Sequence, residues 1–211
     1  MSVHVLIAIV VVALVLAPGE GRAQGRQRGV VVRVYDTVPA SAVERRASLD
    51  VARSILSDAD LAVTWLVCGG RSARQAVQEL RPCYRFLAPG ELIVRIVTSR
   101  RPAGTPGRLP LGDAFVDEAG LGVLATAYVD RIARVAESAG SDQRVLLGRV
   151  LAHEIGHLLL GTNEHGGRGL MRAAWSRDDL RRGRTEDWRF TPLERELMRV
   201  DGATVAMVSS P

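Results

Sequence analysis

The stretch from Val150 to Met171 reads VLAHEIGHLLLGTNEHGGRGLM and constrains the fold more than any other part of the chain. His153 and His157 are four residues apart, so on an α-helix their side chains lie on one face, one above the other. This spacing lets both imidazoles bind one zinc ion at about 2.0–2.1 Å. Glu154 is offset around the helix, where its carboxylate can reach a metal-bound water without being a ligand. The pattern H-E-x-x-H is therefore typical of metal-assisted hydrolysis, with the glutamate as general base.

The histidines of the chain are concentrated in this stretch. Of the four in the sequence, His4 lies near the amino terminus, and His153, His157 and His165 fall within thirteen residues. An isolated buried histidine is more often a hydrogen-bonded core residue than a ligand, but structural histidines are expected to be scattered along a chain. The cluster therefore favours one shared metal ion over three independent core residues.

The flanking sequence predicts a buried helix around these residues. Asp142 or Ser141 can cap its amino end, and Gly161 stands where a left-handed residue ends a helix. Apolar residues occur on most sides of this helix: Val145, Leu146, Val150, Leu151, Ile155, Leu158 and Leu159. Imidazoles and a carboxylate are costly to bury, and a zinc ion offsets that cost. After the turn, His165 can return to the helix as third ligand and leave the fourth zinc position to water.

The segment HEIGHLLLGTNEH, followed by GLM, resembles the zinc signature of the metzincin metalloproteases. That signature is H-E-x-x-H-x-x-G-x-x-H with a methionine-containing turn downstream, and the likeness is to the small, secreted, matrixin-like members of bacterial type. By position, the resemblance implies that His153, His157 and His165 are the zinc ligands and that Glu154 is the general base. It likewise implies that Gly161 is the turn glycine and Met171 the turn methionine. The resemblance implies an α/β (α+β) fold, with a mixed twisted sheet, a long helix behind it, a zinc-binding helix and C-terminal helices.

Both intervals after the second histidine are one residue longer here than in that signature. Gly161 follows His157 by four residues, and His165 follows Gly161 by four. A nearby or later carboxylate is therefore an alternative third ligand: Glu164, Asp178, Asp179 or Glu186. Met171 likewise has an alternative role as a side chain that fills core.

The amino-terminal residues predict a leader. Val5 to Ala17 is an uncharged apolar run of thirteen residues, too short to span a bilayer comfortably. We expect a signal peptide over residues 1–23, cleaved before Gln24, and a secreted or periplasmic protein. The residues before the run include neither Lys nor Arg, which leaves an uncleaved amino-terminal anchor as the alternative. Residues 24–211 are expected to form a single metalloprotease-like catalytic domain.

The charge pattern bears on the partners of the protein. Its net charge is +5, and all 28 basic residues are arginine. A protein that reads nucleic acid is expected to cluster its arginines on one face or around aromatic residues. Here they are scattered from Arg26 to Arg199, so we expect no nucleic-acid partner. The expected partner is a protein or peptide substrate. We expect the protein to be a monomer that makes no stable membrane contact unless the leader stays uncleaved.

The two cysteines, Cys68 and Cys83, are fifteen residues apart. In a secreted chain this predicts one disulfide that closes a loop between elements. A loop of that length contributes about 3 kcal/mol to the free energy of unfolding in the chain-entropy model. The alternative is a thiol that blocks the zinc of a latent precursor, and the position of the cysteines inside the domain disfavours it.

The first half of the chain alternates between strand-like and helix-like patterns. Apolar and β-branched runs predict strands at Gly29–Tyr35, Leu61–Val67 and Leu92–Thr98. Helical periodicity predicts a long helix over Ser41–Asp60. A loop rich in Pro and Gly is expected from Arg100 to Gly112.

The second half completes the predicted fold. Gly120–Asp130 resembles the metzincin edge strand that pairs with an extended substrate, and an ordinary strand without a substrate role is the alternative. Asp130–Gly140 is expected to connect this strand to the zinc helix. A short helix is expected over Trp175–Arg184. A terminal helix is expected over Thr191–Val200, because Thr191 and Glu194 form a capping-box pattern.

Together these patterns predict a secreted zinc-dependent endopeptidase, in which a metal-activated water hydrolyses the peptide bond and Glu154 is the general base. The alternative is a catalytically silent, zinc-stabilised binding domain of the same fold. The glutamate favours the enzyme, because a purely structural zinc site needs no general base and usually closes its fourth position with a protein ligand.

Overall fold

The computed structural model describes residues 27–38, 42–68, 81–99 and 109–199. The predicted leader, residues 1–23, lies outside these ranges. Its cleavage and the division of the chain at residue 24 therefore stay predictions.

The described strands form one mixed sheet of five strands in the order β2-β1-β3-β5-β4. The strands are β1 (Arg28–Asp36), β2 (Leu61–Val67), β3 (Glu91–Val97), β4 (Gly112–Phe115) and β5 (Leu124–Tyr128). Strands β2, β1, β3 and β5 run parallel to their neighbours, and β4 is antiparallel to β5. The predicted strands in the first half of the chain are confirmed, and so is the mixed sheet.

The helices are α1 (Ala42–Ser57), α2 (Arg81–Tyr84), α3 (Val129–Ala139), α4 (Gln143–Leu160) and α5 (Arg177–Arg182), followed by a 3-10 turn at Thr185–Trp188 and a helix, α6, over 192–199. The predicted long helix behind the sheet is α1, and α4 carries the histidines. Among the described helices, none combines the length and the apolar composition that a bilayer crossing requires.

Helices α1 and α4 pack together on one face of the sheet and form the core with it. Alternate side chains of each strand turn toward this face, as the two-residue period of a strand requires. The apolar strand residues that are buried here are Val30, Val32, Val34, Leu61, Val63, Leu92, Val94, Ile96, Ala125 and Ala127. Helix α4 is buried nearly all round, which explains why its polar histidines and glutamate lie in an apolar setting.

The predicted edge strand is wrong in its position. The segment expected to be the edge contains β5, which lies between β3 and β4 and is therefore interior. The edge is β4, which starts at Gly112, the last residue of the predicted loop. Strand β4 is only four residues long and its sequence, GDAF, has no β-branched residue. Its pairing with β5 makes it a strand, and tertiary contacts of this kind override local propensity.

Three further expectations are resolved in the second half of the chain. The segment expected merely to connect the strand to the zinc helix is itself α3, which ends at Gly140 in a left-handed conformation. The predicted terminal capping box is confirmed, since the Thr191 N–H donates to the Glu194 carboxylate at 2.6 Å. The short helix is confirmed as α5.

The outer face of the sheet, opposite α1 and α4, is held partly by ion pairs. Arg33 of β1 donates to the Glu91 carboxylate at 2.5 Å and to the backbone oxygens of Arg85 and Phe86. The sulfur atoms of Cys68 and Cys83 lie 2.08 Å apart, so the pair is placed to form the predicted disulfide. These contacts fix the segment between α2 and β3 to the sheet.

Asp142, one of the two predicted caps, is the N-cap of α4. Its carboxylate accepts from the Arg144 N–H at 2.7 Å, and the Arg144 side chain pairs with it. The Arg144 hydrogen bond holds the pKa of Asp142 at about 2. We expect Asp142→Ala to lower the free energy of unfolding by about 1 kcal/mol at neutral pH, because the helix loses its cap. Urea denaturation measures this.

The pH dependence of the free energy of unfolding provides a second test of the same variant. The folded pKa of Asp142 is below its unfolded value, so its contribution is complete above about pH 4 and is lost as the pH falls toward about 2. The difference between wild type and Asp142→Ala should shrink over that range. The control Asp142→Asn keeps the acceptor and should retain much of the cap. A difference that is the same at both ends of the range would contradict this account.

Candidate metal centre

Helix α4 presents two histidines and a glutamate on adjacent turns. His153, Glu154 and His157 are each at most 7% exposed. The Nε2 atoms of the two histidines lie 3.1 Å apart. Two nitrogens bound to one tetrahedral zinc at about 2.0–2.1 Å are about 3.3–3.4 Å apart. The spacing of the pair is therefore close to what a shared zinc ion needs.

Backbone carbonyls fix the orientation of both rings. The Nδ1 atom of His153 lies 2.8 Å from the Leu170 oxygen, and Nδ1 of His157 lies 2.8 Å from the Thr162 oxygen. A carbonyl oxygen only accepts hydrogen bonds, so each Nδ1 must carry the proton. Both Nε2 atoms are then unprotonated, and their lone pairs face each other. A cation between them satisfies both, and this hydrogen-bonding pattern is typical of histidines that bind metals.

His165 joins the pair from the loop that follows α4. Gly161 ends the helix with φ of 62°, a left-handed conformation that glycine adopts without strain. The ring of His165 lies 4.8 Å from that of His157 and 5.3 Å from that of His153, measured between centroids. The candidate ligand atoms of the three histidines all lie within 4.8 Å of one another.

The carboxylates that were alternatives for the third ligand do not join this group. In the described part of the chain, the group that can hold a metal consists of the three histidines. Asp179 forms a capping box with Ser176 at the start of α5. Asp178 pairs with Arg182 at the surface. The loop after α4 thus brings His165, and none of the four carboxylates, into this group.

Met171 lies beneath the helix that carries the histidines. Its side chain is 1% exposed, and a Cβ on Gly156 would lie 2.7 Å from its sulfur. The Gly166 N–H donates to the Met171 carbonyl at 2.8 Å, which closes the turn after His165. The methionine therefore occupies the position that the resemblance implies, between the turn and the helix. It also fills core, so both of its expected roles are compatible with its place.

Burial determines the charge state of the site in the absence of a cation. Desolvation lowers the pKa of His153 to about 4 and also lowers that of His157. Desolvation, with a smaller effect of Asp113, raises the pKa of Glu154 to about 8. Neutral imidazole nitrogens are donors that fit zinc, and a nearby cation would favour the ionised form of the Glu154 carboxyl group.

The Glu154 side chain packs against Gly112 of β4. A Cβ on Gly112 would lie 2.6 Å from Oε1 of Glu154, so only glycine leaves room for the carboxylate there. Neither Gly112 nor its neighbour Asp113 was predicted as a site residue. No local pattern links them to the histidines, because only the pairing of β4 with β5 brings them close.

A cleft of about 440 Å³ opens over the histidines. Its lining includes Asp113 and Ala114 of β4, together with Glu154 and His165. Apolar side chains also line it: Val135, Val150, Trp175 and Leu180. The arrangement therefore combines a candidate metal centre, a carboxylate and an apolar wall.

Trp175 is a further residue of the site that sequence reasoning missed. Its ring meets the ring of His153 edge-on, with centroids 5.5 Å apart. Trp188 packs against Trp175, and the guanidinium of Arg149 lies 3.7 Å from the centre of the Trp188 ring. These aromatic contacts support His153 through residues that are distant from it in sequence. No local sequence pattern therefore indicates them.

Comparisons with known proteins give one structural neighbour to report. No protein-family model matches the chain, and no curated protein matches it. Among solved structures, the chain is similar to archaemetzincin from Methanopyrus kandleri, with 17% sequence identity and a TM-score of 0.47. The match covers 86% of this chain and 98% of that chain.

The packing of Met171 under α4 leads to a prediction about Gly156. A Cβ at this position would lie 2.7 Å from both the Met171 sulfur and the Phe190 ring. Alanine favours a helix over glycine by about 1 kcal/mol, but overpacking costs about 1–3 kcal/mol. On balance we expect Gly156→Ala to lower the free energy of unfolding of the metal-free protein by about 1 kcal/mol, as measured in urea with a chelator.

The matched control is Gly29→Ala. A Cβ on Gly29 meets no atom within 4 Å, so the free energy of unfolding should change by less than about 0.5 kcal/mol. A Gly156→Ala protein as stable as wild type would mean that Met171 does not press on the helix.

Proposed function

We propose that this protein is a zinc-dependent endopeptidase of metzincin type, with His153, His157 and His165 as zinc ligands and Glu154 as general base. The observation that carries the proposal is the pair of Nε2 atoms 3.1 Å apart, each ring held by a carbonyl at Nδ1. A shared cation explains why two buried imidazoles direct their lone pairs at each other beside a third histidine and a buried carboxylate.

The roles follow from the chemistry of these groups. Zinc supplies Lewis acidity, which polarises a substrate carbonyl and makes a water acidic enough to attack it near neutral pH. The Glu154 carboxylate takes the proton from the attacking water and passes it to the leaving amine. Gly112 leaves the carboxylate room between α4 and the edge strand. The carbonyls of Leu170 and Thr162 keep the two helical histidines in the orientation that binds metal.

Strand β4 is the surface that we propose for the substrate backbone. It lies at the edge of the sheet and, among the described residues, pairs only with β5. An edge strand presents unpaired N–H and C=O groups, to which an extended peptide can add as a further strand. The substrate role expected for Gly120–Asp130 thus moves to Gly112–Phe115, which adjoins Glu154.

The apolar lining of the cleft supports a peptide side chain as occupant. Val135, Val150 and Leu180 line the same cleft as His153 and Glu154. Burial of an apolar side chain there contributes favourable free energy in proportion to its area. An extended substrate on β4 therefore places its cleaved bond at the histidines and one apolar side chain in the cleft.

We also propose that the protein acts outside the cytoplasm as a monomer on protein or peptide substrates. The apolar run followed by small residues supports export. Cysteines at bonding distance support an oxidising compartment.

The function is tested with purified protein by metal analysis and by hydrolysis of casein. We expect one zinc per chain and cleavage that Glu154→Ala reduces by at least about 100-fold, because proton transfer by a positioned group contributes that much. The variant should keep its zinc. The matched control is Glu137→Ala, an exposed glutamate of α3, with unchanged activity. Bound zinc without Glu154-dependent cleavage would instead favour the catalytically silent binding domain.

The third ligand is tested by His165→Ala. We expect zinc affinity to fall by more than about 100-fold, beyond what the loss of an outer hydrogen-bond partner causes. Competition with a chromogenic chelator measures the affinity. The matched control is Glu164→Ala, whose exposed side chain adjoins His165 but lies outside the histidine group. Unchanged affinity in His165→Ala would assign the role to a carboxylate.

A further inference from the structure

The edge strand β4 exposes two side chains on the outer face of the sheet. Side chains of a strand alternate between faces. Gly112 turns toward α4, where its Cα adjoins Glu154, so Asp113 and Phe115 turn to the opposite face. Both are exposed, and Phe115 is 68% exposed. Any segment that pairs with the free edge of β4 must place side chains next to these two.

Phe115 is the exposed end of an apolar row. The pairing registers place Phe115 beside Leu124 of β5, and Leu124 beside Ile93 of β3. Leu124 and Ile93 are half-buried, whereas Phe115 at the edge is largely open to water. An added strand would extend the row by one residue. A large apolar side chain at that position would cover Phe115.

Asp113 is a carboxylate without a cationic partner among the described residues. The Tyr128 hydroxyl donates to its Oδ1 atom at 2.5 Å. The nearby guanidinium of Arg131 lies over the Tyr128 ring, 4.0 Å from its centre, and donates to the Pro110 oxygen. Arg131 is thus engaged elsewhere, and among the described residues only the Tyr128 hydroxyl occupies the Asp113 carboxylate.

We propose that the outer face of β4 selects substrates by two side chains spaced two residues apart, a basic one opposite Asp113 and a large apolar one opposite Phe115. The spacing follows from the strand period, since residues i and i+2 of the bound segment share a face. Direct cross-strand neighbours have Cβ atoms about 4.5–5.5 Å apart, close enough for a charge pair or an apolar contact. Whether the bound segment runs parallel or antiparallel to β4 determines only which of its two residues, the basic or the apolar one, comes first in its sequence.

This inference rests on the proposed function for its occupant, an extended substrate. The position of the β4 edge beside the candidate metal centre supports a substrate, and not a second copy of the chain, as occupant. The same edge adjoins Glu154 through Gly112 and opens onto the cleft, so a segment bound there runs past the histidines.

The test measures peptide binding to zinc-loaded Glu154→Ala protein, in which cleavage does not interfere. Fluorescent nonapeptides of Gly and Ser would carry Arg-x-Leu, Leu-x-Arg, Ser-x-Leu, Arg-x-Ser or Glu-x-Leu at the centre. We expect one Arg/Leu order to bind about 2- to 5-fold tighter than either peptide in which serine replaces one of the pair. The Glu-x-Leu peptide should bind more weakly than its serine counterpart.

Variants assign each preference to its residue. Phe115→Ser should abolish the preference for leucine and keep that for arginine. Asp113→Asn, which can still accept from Tyr128, should abolish the preference for arginine and keep that for leucine. The matched control is Phe86→Ser, an aromatic that is 98% exposed outside β4, and it should change neither. Circular dichroism checks that each variant is folded.

Three outcomes decide the inference. Preferences that persist in Phe115→Ser and Asp113→Asn would overturn it. Concentration-dependent dimerisation that Phe115→Ser removes, without any peptide preference, would also overturn it and assign the edge to a second copy. Preferences that behave as expected, in a wild type without hydrolytic activity, would uphold this recognition while the proposed peptidase function fails.

Discussion

The structure depends above all on two buried imidazoles that face each other. Histidines one turn apart on an apolar helix are costly to desolvate, and their lone pairs repel at 3.1 Å unless a cation lies between them. The carbonyls of Leu170 and Thr162 hold them in that arrangement. These carbonyls belong to the loop after α4, so the helix, the left-handed turn at Gly161 and the return of the chain to His165 form one interdependent unit.

The edge of the sheet contacts this unit. Helix α4 packs across β3, β5 and β4, and Glu154 extends to the edge strand over a glycine that leaves it space. Strand β4 is short, is weakly specified by its own residues, and is held by β5 and by the Tyr128 hydroxyl on Asp113. The cleft thereby combines a carboxylate, a candidate metal centre and a strand edge that pairs only with β5 among the described residues. That combination supports the proposed peptidase over the binding domain, because a structural zinc site has no need of the carboxylate.

The success of the sequence predictions varies with how local the signal is. The strands at Leu61–Val67 and Glu91–Val97 carry continuous β-branched and apolar runs, and α4 carries both a cap and a terminating glycine. These were predicted to within a residue or two. The edge strand was misplaced because Gly, Asp and Ala of GDAF disfavour a strand and the segment becomes one by pairing with β5. Helix α3 was not predicted, although its amphipathic pattern packs Ile132 and Ala136 inward.

The sequence by itself determined which histidines are close. Four-residue spacing on a helix fixes His153 beside His157 whatever the rest of the chain does, and the glycine after them determines where the helix ends. Only the tertiary structure decided that His165, and not a later carboxylate, joins them, because loop length alone does not specify where a loop returns. It alone decided which strand is the edge and which residues flank Glu154. Those contacts join residues far apart in sequence, and no local pattern encodes them.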